Sequence, residues 1–320
     1  VTVISRCTVL DMDGVLIIDK PPGRTSHDVV RDVKKLLGAN KVGHAGTLDP
    51  LATGVLAVCI NEATKLTRFF VQDDKEYRAT MLLGVRTDTL DREGTVLSRC
   101  EPHLREEEIG RTMEGFVGPI EQRVPRYSAV KFKGKPLYKW ARRGVDIEPP
   151  LRKVTVHRIN VEEVTMPYVT FTVSCSKGTY IRSLCADIGE ELGCGACLFD
   201  LRRTRSGGFS QKDAILLEGL ADGELIETVE KNIIPLAETL PGMAAVVVDQ
   251  CTADRIRKGY QPGCGILQGK NSPLPERGDL IKFVTKDGGI VAVAKMLFSP
   301  GEFPLMGDER QAVRILRVLN

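Results

Sequence analysis

No run of about 18 apolar residues occurs in the 320-residue chain, so no stretch is long enough to cross a bilayer as a helix. No charged-then-apolar leader with a small-residue cleavage site opens it, and a soluble protein is expected. No unit of roughly 20–50 residues repeats, which argues against solenoids and propellers. A large excess of either charge is lacking: the net charge is +3 and the pI about 8.3, compatible with nucleic acid without demanding it, so local clustering matters more than the total. The nine cysteines (Cys7, Cys59, Cys100, Cys175, Cys185, Cys194, Cys197, Cys251 and Cys264) are odd in number and scattered, unlike a stapled domain, and a reducing cytoplasm is the expected compartment. Cys194-Gly195-Ala196-Cys197 has no second pair, whereas zinc needs four ligands. Gly265 to Lys270 is a poor phosphate loop, because its spacing is wrong and Asn271 stands where Ser or Thr is required. Asp88 and Asp91 read as a surface turn rather than a metal pair.

Hydrophobic content of 42% and charged content of 27% are ordinary for a globular chain with an ample core. Val15 to Asp19, Val55 to Ile60, Tyr77 to Val85, Val154 to Val164 and Val169 to Cys175 read as strands. Ser26 reads as the N-cap of a helix whose apolar spacing runs to Gly38, and Leu104 to Phe116 and Thr179 to Leu192 read as further helices. The elements lack βαβ regularity, so the expected class is α+β. Leu240-Pro241-Gly242 is a plausible boundary. Beyond it, short strands at Val246 to Asp249, Leu280 to Val284, Ile290 to Lys295 and Val313 to Val318, with a helix at Thr252 to Lys258, suggest a small β-rich module.

The stretch Gly43-His44-Ala45-Gly46-Thr47-Leu48-Asp49-Pro50-Leu51-Ala52-Thr53-Gly54-Val55-Leu56 sets one carboxylate, Asp49, in a loop of small residues ahead of an apolar run. Glycines admit a close backbone or ligand, and Pro50 pushes Asp49 towards an extended conformation. A lone Asp-Pro is most often a turn that caps local amides, but this setting also suits an acid presented to a substrate. From Arg123 to Arg143, eight cations (Arg123, Arg126, Lys131, Lys133, Lys135, Lys139, Arg142 and Arg143) occur without one acid, interleaved with Tyr127, Phe132, Tyr138 and the only tryptophan, Trp140. Such a strip can be a solvated helix face; it also has the makeup of an RNA grip, with cations for phosphates and rings for stacking. Ser176-Lys177-Gly178-Thr179-Tyr180-Ile181-Arg182-Ser183-Leu184 exposes backbone amides where a strand meets a helix, suiting an anion or a substrate.

These blocks, with Lys20-Pro21, Lys75-Glu76-Tyr77-Arg78 and Leu201-Arg202-Arg203-Thr204-Arg205-Ser206-Gly207, stand in order between Val15 and Gly208 and resemble the TruB family of tRNA pseudouridine-55 synthases. The resemblance implies that Asp49 is the catalytic residue and that Arg182 pairs with it, lowering its pKa and holding it ionised. It implies that Tyr77 stacks on a flipped base and serves in later proton removal, with His44, Tyr180 and Leu201 also at the substrate. Arg202 and Arg203 are expected to give basic surface. Lys20 is expected to support the Asp loop and is counted with the RNA-binding set. Arg126, Lys131, Lys133 and Lys135 fall in an RNA-gripping thumb.

The implied architecture is a mixed, mainly antiparallel synthase sheet with flanking helices in residues 1–242, a thumb insertion at about 123–150, and a PUA-like RNA-binding domain in 243–320. The implied reaction turns uridine 55 in the T-loop of tRNA into pseudouridine by base flipping, with no cofactor and no metal. Whether Asp49 attacks covalently or removes a sugar proton to give a glycal stays open. The expected partner is the tRNA T-arm, bound by a monomer that needs no guide RNA, partner protein or membrane. An RNA-binding protein without chemistry and a guide-dependent synthase of the dyskerin type are the alternatives.

Overall fold

The structure is a computed structural model that describes residues 12–217, 222–268 and 274–319. Val1, Cys7, Lys270 and Asn271, on which parts of the sequence reading fall, lie outside the described residues. Among the described residues the main sheet has ten strands, eight of them in the order Ile234–Pro235, Gly14–Lys20, Thr53–Ile60, Ala196–Ser206, Lys75–Leu83, Tyr168–Cys175, Leu151–Thr165 and Gly118–Arg123. Along this path every pairing is antiparallel except that of Thr53–Ile60 with Ala196–Ser206. The fold is therefore α+β with a mixed, mainly antiparallel sheet.

Side chains alternate across a strand, and both faces of the sheet centre are covered. Leu16, Ile18, Leu56, Val58 and Ile60 face one cluster, shared with Val29 and Val33 of the Ser26–Leu37 helix and Ile181, Leu184 and Ile188 of the Ile181–Glu191 helix. Val15, Ile17, Val55, Ala57 and Cys59 face the other, closed by Phe69, Phe70 and Phe209 and by Val284, Ile290, Val293 and Leu319 from the chain's last part. Double-sided burial is why these strands read as unbroken apolar runs. A second sheet, ordered Ala244–Val247, Leu280–Val284, Ile290–Met296 and Val313–Val318, carries its own core around Val246, Ile256, Phe283 and Phe303.

Three local expectations shift. The first helix is capped by Thr25, not Ser26: Thr25 accepts from the Asp28 amide, and Asp28 accepts from the Thr25 amide in return. Ser26 is thereby free to bond the Asp49 loop. The helix expected from Thr179 begins at Ile181, because Gly178, at φ +80°, turns the chain and leaves Thr179 and Tyr180 outside it. The strand expected from Tyr77 to Val85 starts at Lys75 and breaks at Gly84 (φ +76°), where a Cβ would meet the Cys100 carbonyl oxygen at 2.2 Å.

Candidate active site

The loop carrying Asp49 lies between the strands Val42–His44 and Thr53–Ile60 and is clamped from beneath. Ser26 Oγ accepts from the Leu48 amide at 2.8 Å and donates to the Leu48 carbonyl at 3.1 Å. Lys20 Nζ donates to the carbonyls of Pro21, Arg24 and Pro50. Arg203 Nε donates to the Val55 carbonyl at 2.7 Å, and its Nη atoms reach those of Thr47 and Gly46. Gly54, at φ +95°, passes so close that a Cβ would meet the Arg203 carbonyl oxygen at 2.3 Å. Lys20 and Arg203 are thus buried supports of the loop. Their bonds run to the loop backbone rather than out to solvent, and Arg203 also reaches the wall of the cleft. Burial lowers the Lys20 pKa to about 8.

Arg182, on the first turn of the Ile181–Glu191 helix, is buried with its side chain only 4% exposed, against 34% for Asp49. Its Nε lies 2.9 Å from Asp49 Oδ2. Nη1 donates to the Thr89 carbonyl at 3.0 Å and Nη2 to the Tyr127 carbonyl at 3.0 Å. A second carboxylate completes the arrangement: Asp91 Oδ2 stands 3.5 Å from Arg182 Nη1. The reading of Asp91 as a surface turn is therefore wrong. It is buried, and its Oδ1 accepts from Thr89 Oγ1 and the Glu93 amide. Asp88, by contrast, does close a turn, accepting from the Thr95 amide.

Asp49 opens onto a cleft of about 250 Å³, lined also by Tyr77, Tyr180, Arg182, Leu201, Arg203, Ser128 and Lys75. The strands bring these together: Tyr77 pairs with Arg203 and with Val173 in the sheet, and Leu201 precedes Arg203 by two residues on the same strand. Gln122, which the sequence reading passed over, is buried and fixes Tyr180, accepting from its amide at 2.7 Å and donating to its carbonyl at 3.0 Å. Its sequence setting, the mixed-polarity run Gly118–Arg123, carried no signal for this role; its burial appears only in the fold.

Burial raises the Asp49 pKa above the ordinary carboxylate value; Arg182 opposes this, and the charge of Asp91 adds to it. Arg182 lowers it as expected, but the net shift is upward, because loss of water outweighs the guanidinium. If Asp49 acts as the carboxylate, activity falls as pH drops through its raised pKa. The acid limb of kcat/KM should therefore sit above the ordinary carboxylate range, and Asp91→Asn should move it to lower pH. An acid limb at the ordinary Asp value in both proteins would refute this.

The remaining sequence candidates are not among the residues that line the cleft. His44 is half-buried, and burial together with nearby Arg203 lowers its pKa. Arg202 is not free basic surface, since both ends of its fork bind Asp19 at 3.0 and 2.6 Å. In the thumb, the hairpin Lys131–Phe132 and Lys135–Pro136 leads into the helix Leu137–Ala141. The strip is less unbalanced than its sequence window indicates. Arg123 pairs with Glu148 and Arg126 with Asp146, acids just past its end. Lys133 and Lys135 lie over the rings of Phe132 and Trp140, so parts of those faces are covered by the chain's own cations. Lys131, Lys133 and Lys135 remain exposed.

The model described as TruB family pseudouridylate synthase (N terminal domain) matches residues 34–181, which hold Asp49, Tyr77, Asp91 and the thumb. The model described as tRNA pseudouridylate synthase B C-terminal domain continues over residues 182–247. The tRNA pseudouridine synthase B of Syntrophus aciditrophicus is 54% identical over 97% of this chain and 99% of that protein. The chain belongs to the TruB family of pseudouridylate synthases. Such enzymes are isomerases. A TruB-family relative from Geobacter sulfurreducens is 40% identical over 97% of this chain and 100% of its own length. Among solved structures, a Cbf5–Nop10–Gar1 complex contains a chain 32% identical to this one, with TM-score 0.73, covering 95% of this chain and 84% of that one. An H/ACA RNP bound to substrate RNA contains one at 30% identity and TM-score 0.72, covering 96% and 85%. The TruB-family fold thus extends to proteins solved within larger assemblies.

Proposed function

We propose that this chain converts uridine 55 in the T-loop of tRNA to pseudouridine. The observation that carries the reading is Asp49 held at a cleft by buried Arg182, beside Tyr77, Tyr180 and Leu201. The C1′–N1 bond of the nucleotide breaks, the uracil turns, and a C1′–C5 bond forms with the C5 proton moved to nitrogen. Substrate and product are isomers, so the reaction has no net oxidation and consumes no co-substrate, and the reading assigns it no cofactor. The target base sits in a folded loop, and extruding it costs roughly a few kcal/mol. Tyr77 can offset that by stacking, while Tyr180 and Leu201 wall the pocket. Asp49 either attacks the nucleotide or removes a sugar proton to start a glycal route.

The exposed thumb lysines are assigned to tRNA phosphates, and residues 243–320 to a PUA-like RNA-binding domain. Action in the cytoplasm on the T-arm follows from the same reading. The likeness to Cbf5, solved with Nop10 and Gar1, favours one second reading, a guide-dependent synthase. The purified chain should modify a bare T-arm hairpin with no guide or partner protein. A hairpin left unmodified over a range of salt would overturn stand-alone activity. Charge reversal at Lys131, Lys133 and Lys135 together should weaken tRNA binding and flatten its salt dependence, since each phosphate contact releases counterions. An unchanged salt slope would remove the thumb from the interface.

A further inference from the structure

The strand Gly118–Arg123 ends the path of the main sheet and leads straight into the thumb. Side chains tie its last two residues to the start of the helix that carries Arg182. Ser183 Oγ donates to the Arg123 carbonyl at 2.9 Å. Gln122, only 1% exposed, spends its whole carboxamide on the Tyr180 backbone, accepting from the amide and donating to the carbonyl. A carboxamide is the side-chain equivalent of a peptide group, with one acceptor and a donor at a fixed separation, so it can serve both at once. Tyr180 is the N-cap residue of the helix and makes no side-chain cap bond. Its carbonyl also starts the helix by accepting from the Leu184 amide at 3.0 Å, but its amide has Gln122 as partner. At the other end of the residue, the buried Ser128 hydroxyl stands beside the Tyr180 phenol. The thumb root thus holds Tyr180 at its backbone and at its ring. Arg182 has anchors of its own in Asp49, Asp91 and the Thr89 and Tyr127 carbonyls.

We propose that Gln122 is a positioning residue for the isomerisation: through the Tyr180 backbone it sets where the Tyr180 ring stands against the nucleotide beside Asp49. The role deepens the proposed function and rests on it. Gln122 itself is buried and fully bonded, so it acts through Tyr180 and not by touching RNA. Tyr180 forms a wall of the cleft that Asp49 enters, so a shift of its ring changes how a nucleotide is aimed at the carboxylate. A misplacement of about 1 Å can cost on the order of 10²-fold in rate. The arm assigned to RNA phosphates and the support of the pocket wall are then one continuous stretch of chain.

The test is a double-mutant cycle of Gln122→Met and Tyr180→Ala, read by single-turnover rates on the T-arm hairpin, tRNA binding and thermal melting. Methionine keeps the length of the side chain and loses both bonds. Alone, it should lower the single-turnover rate about ten- to hundredfold and leave the tRNA dissociation constant unchanged. In the Tyr180→Ala background the same change should alter the rate less than about twofold, because no ring remains to be misplaced. The melting temperature should fall equally in both backgrounds, since the Tyr180 backbone loses its partner in each. If Gln122→Met does not fold, Gln122→Asn, one methylene short, should show a smaller rate loss that Tyr180→Ala again cancels. A wild-type rate in the single variant overturns the proposal. So does a rate loss that persists in full without the Tyr180 ring, which marks a general structural role. A wild-type chain inactive on the hairpin overturns the parent function and this role with it, and the wild-type control tells the two failures apart.

Discussion

Asp49→Asn is expected to abolish pseudouridine formation, lowering its rate by on the order of 10³-fold or more, while tRNA binding and folding are retained. The argument rests on charge alone. Asparagine keeps the shape of the side chain and can still accept from Arg182. It cannot act as a nucleophile or a base. The loop is held by Ser26, Lys20 and Arg203, all of which bond backbone atoms, so its conformation does not depend on the carboxylate. Arg182 keeps Asp91 as a counter-charge, so the guanidinium is not left bare. Turnover on the hairpin and filter binding of tRNA, measured on one preparation, check both halves. Near-normal turnover would remove Asp49 from the chemistry, and lost binding would mean that it serves recognition instead.

Arg182→Ala is expected to stop turnover and also to destabilise the protein by about 3 kcal/mol. That figure is the lower end for breaking a buried pair, because Asp49 keeps some solvent while Arg182 has almost none. The alanine leaves Asp49 and Asp91 facing each other without a cation and strips the Thr89 and Tyr127 carbonyls of their donor. The Asp49 pKa should climb further, since the opposing charge is gone. Arg182→Lys should rescue little. An ammonium is a point charge and cannot meet two carboxylates and two carbonyls from one planar fork. Denaturant unfolding and single-turnover kinetics measure the two effects. Unchanged stability, or near-normal turnover, would show that Arg182 is not the pivot of the site.

What could be read without the fold was local or carried by resemblance. Two-residue alternation and unbroken apolar runs marked about half of the strands among the described residues and missed Ala196–Ser206 in the middle of the main sheet, while the blocks around Asp49, Tyr77 and Arg182 pointed to one pocket. The errors share a cause. Asp91 sits among Asp88, Thr89, Arg92 and Glu93, a polar stretch that looks solvated in sequence, yet the chain folds it beneath a guanidinium from a helix far along. Arg203 looked like basic surface because its neighbours are Arg202 and Arg205, but its strand runs beside Thr53–Ile60 and directs it under the Asp49 loop. The thumb looked uncompensated because Asp146 and Glu148 lie just outside the window that was counted.

The sequence by itself determined the acid, its loop of small residues, the arginine motif and the α+β class, because these depend on residue type and short-range spacing. Only the tertiary structure decided which charges are available to a substrate. It buried Lys20 and Arg203 as supports, gave Arg182 a second carboxylate in Asp91 and, by excluding water, raised the Asp49 pKa despite the guanidinium. Charge and solvation are set by neighbours brought close in space, and no spacing along the chain records how much water a folded cleft excludes.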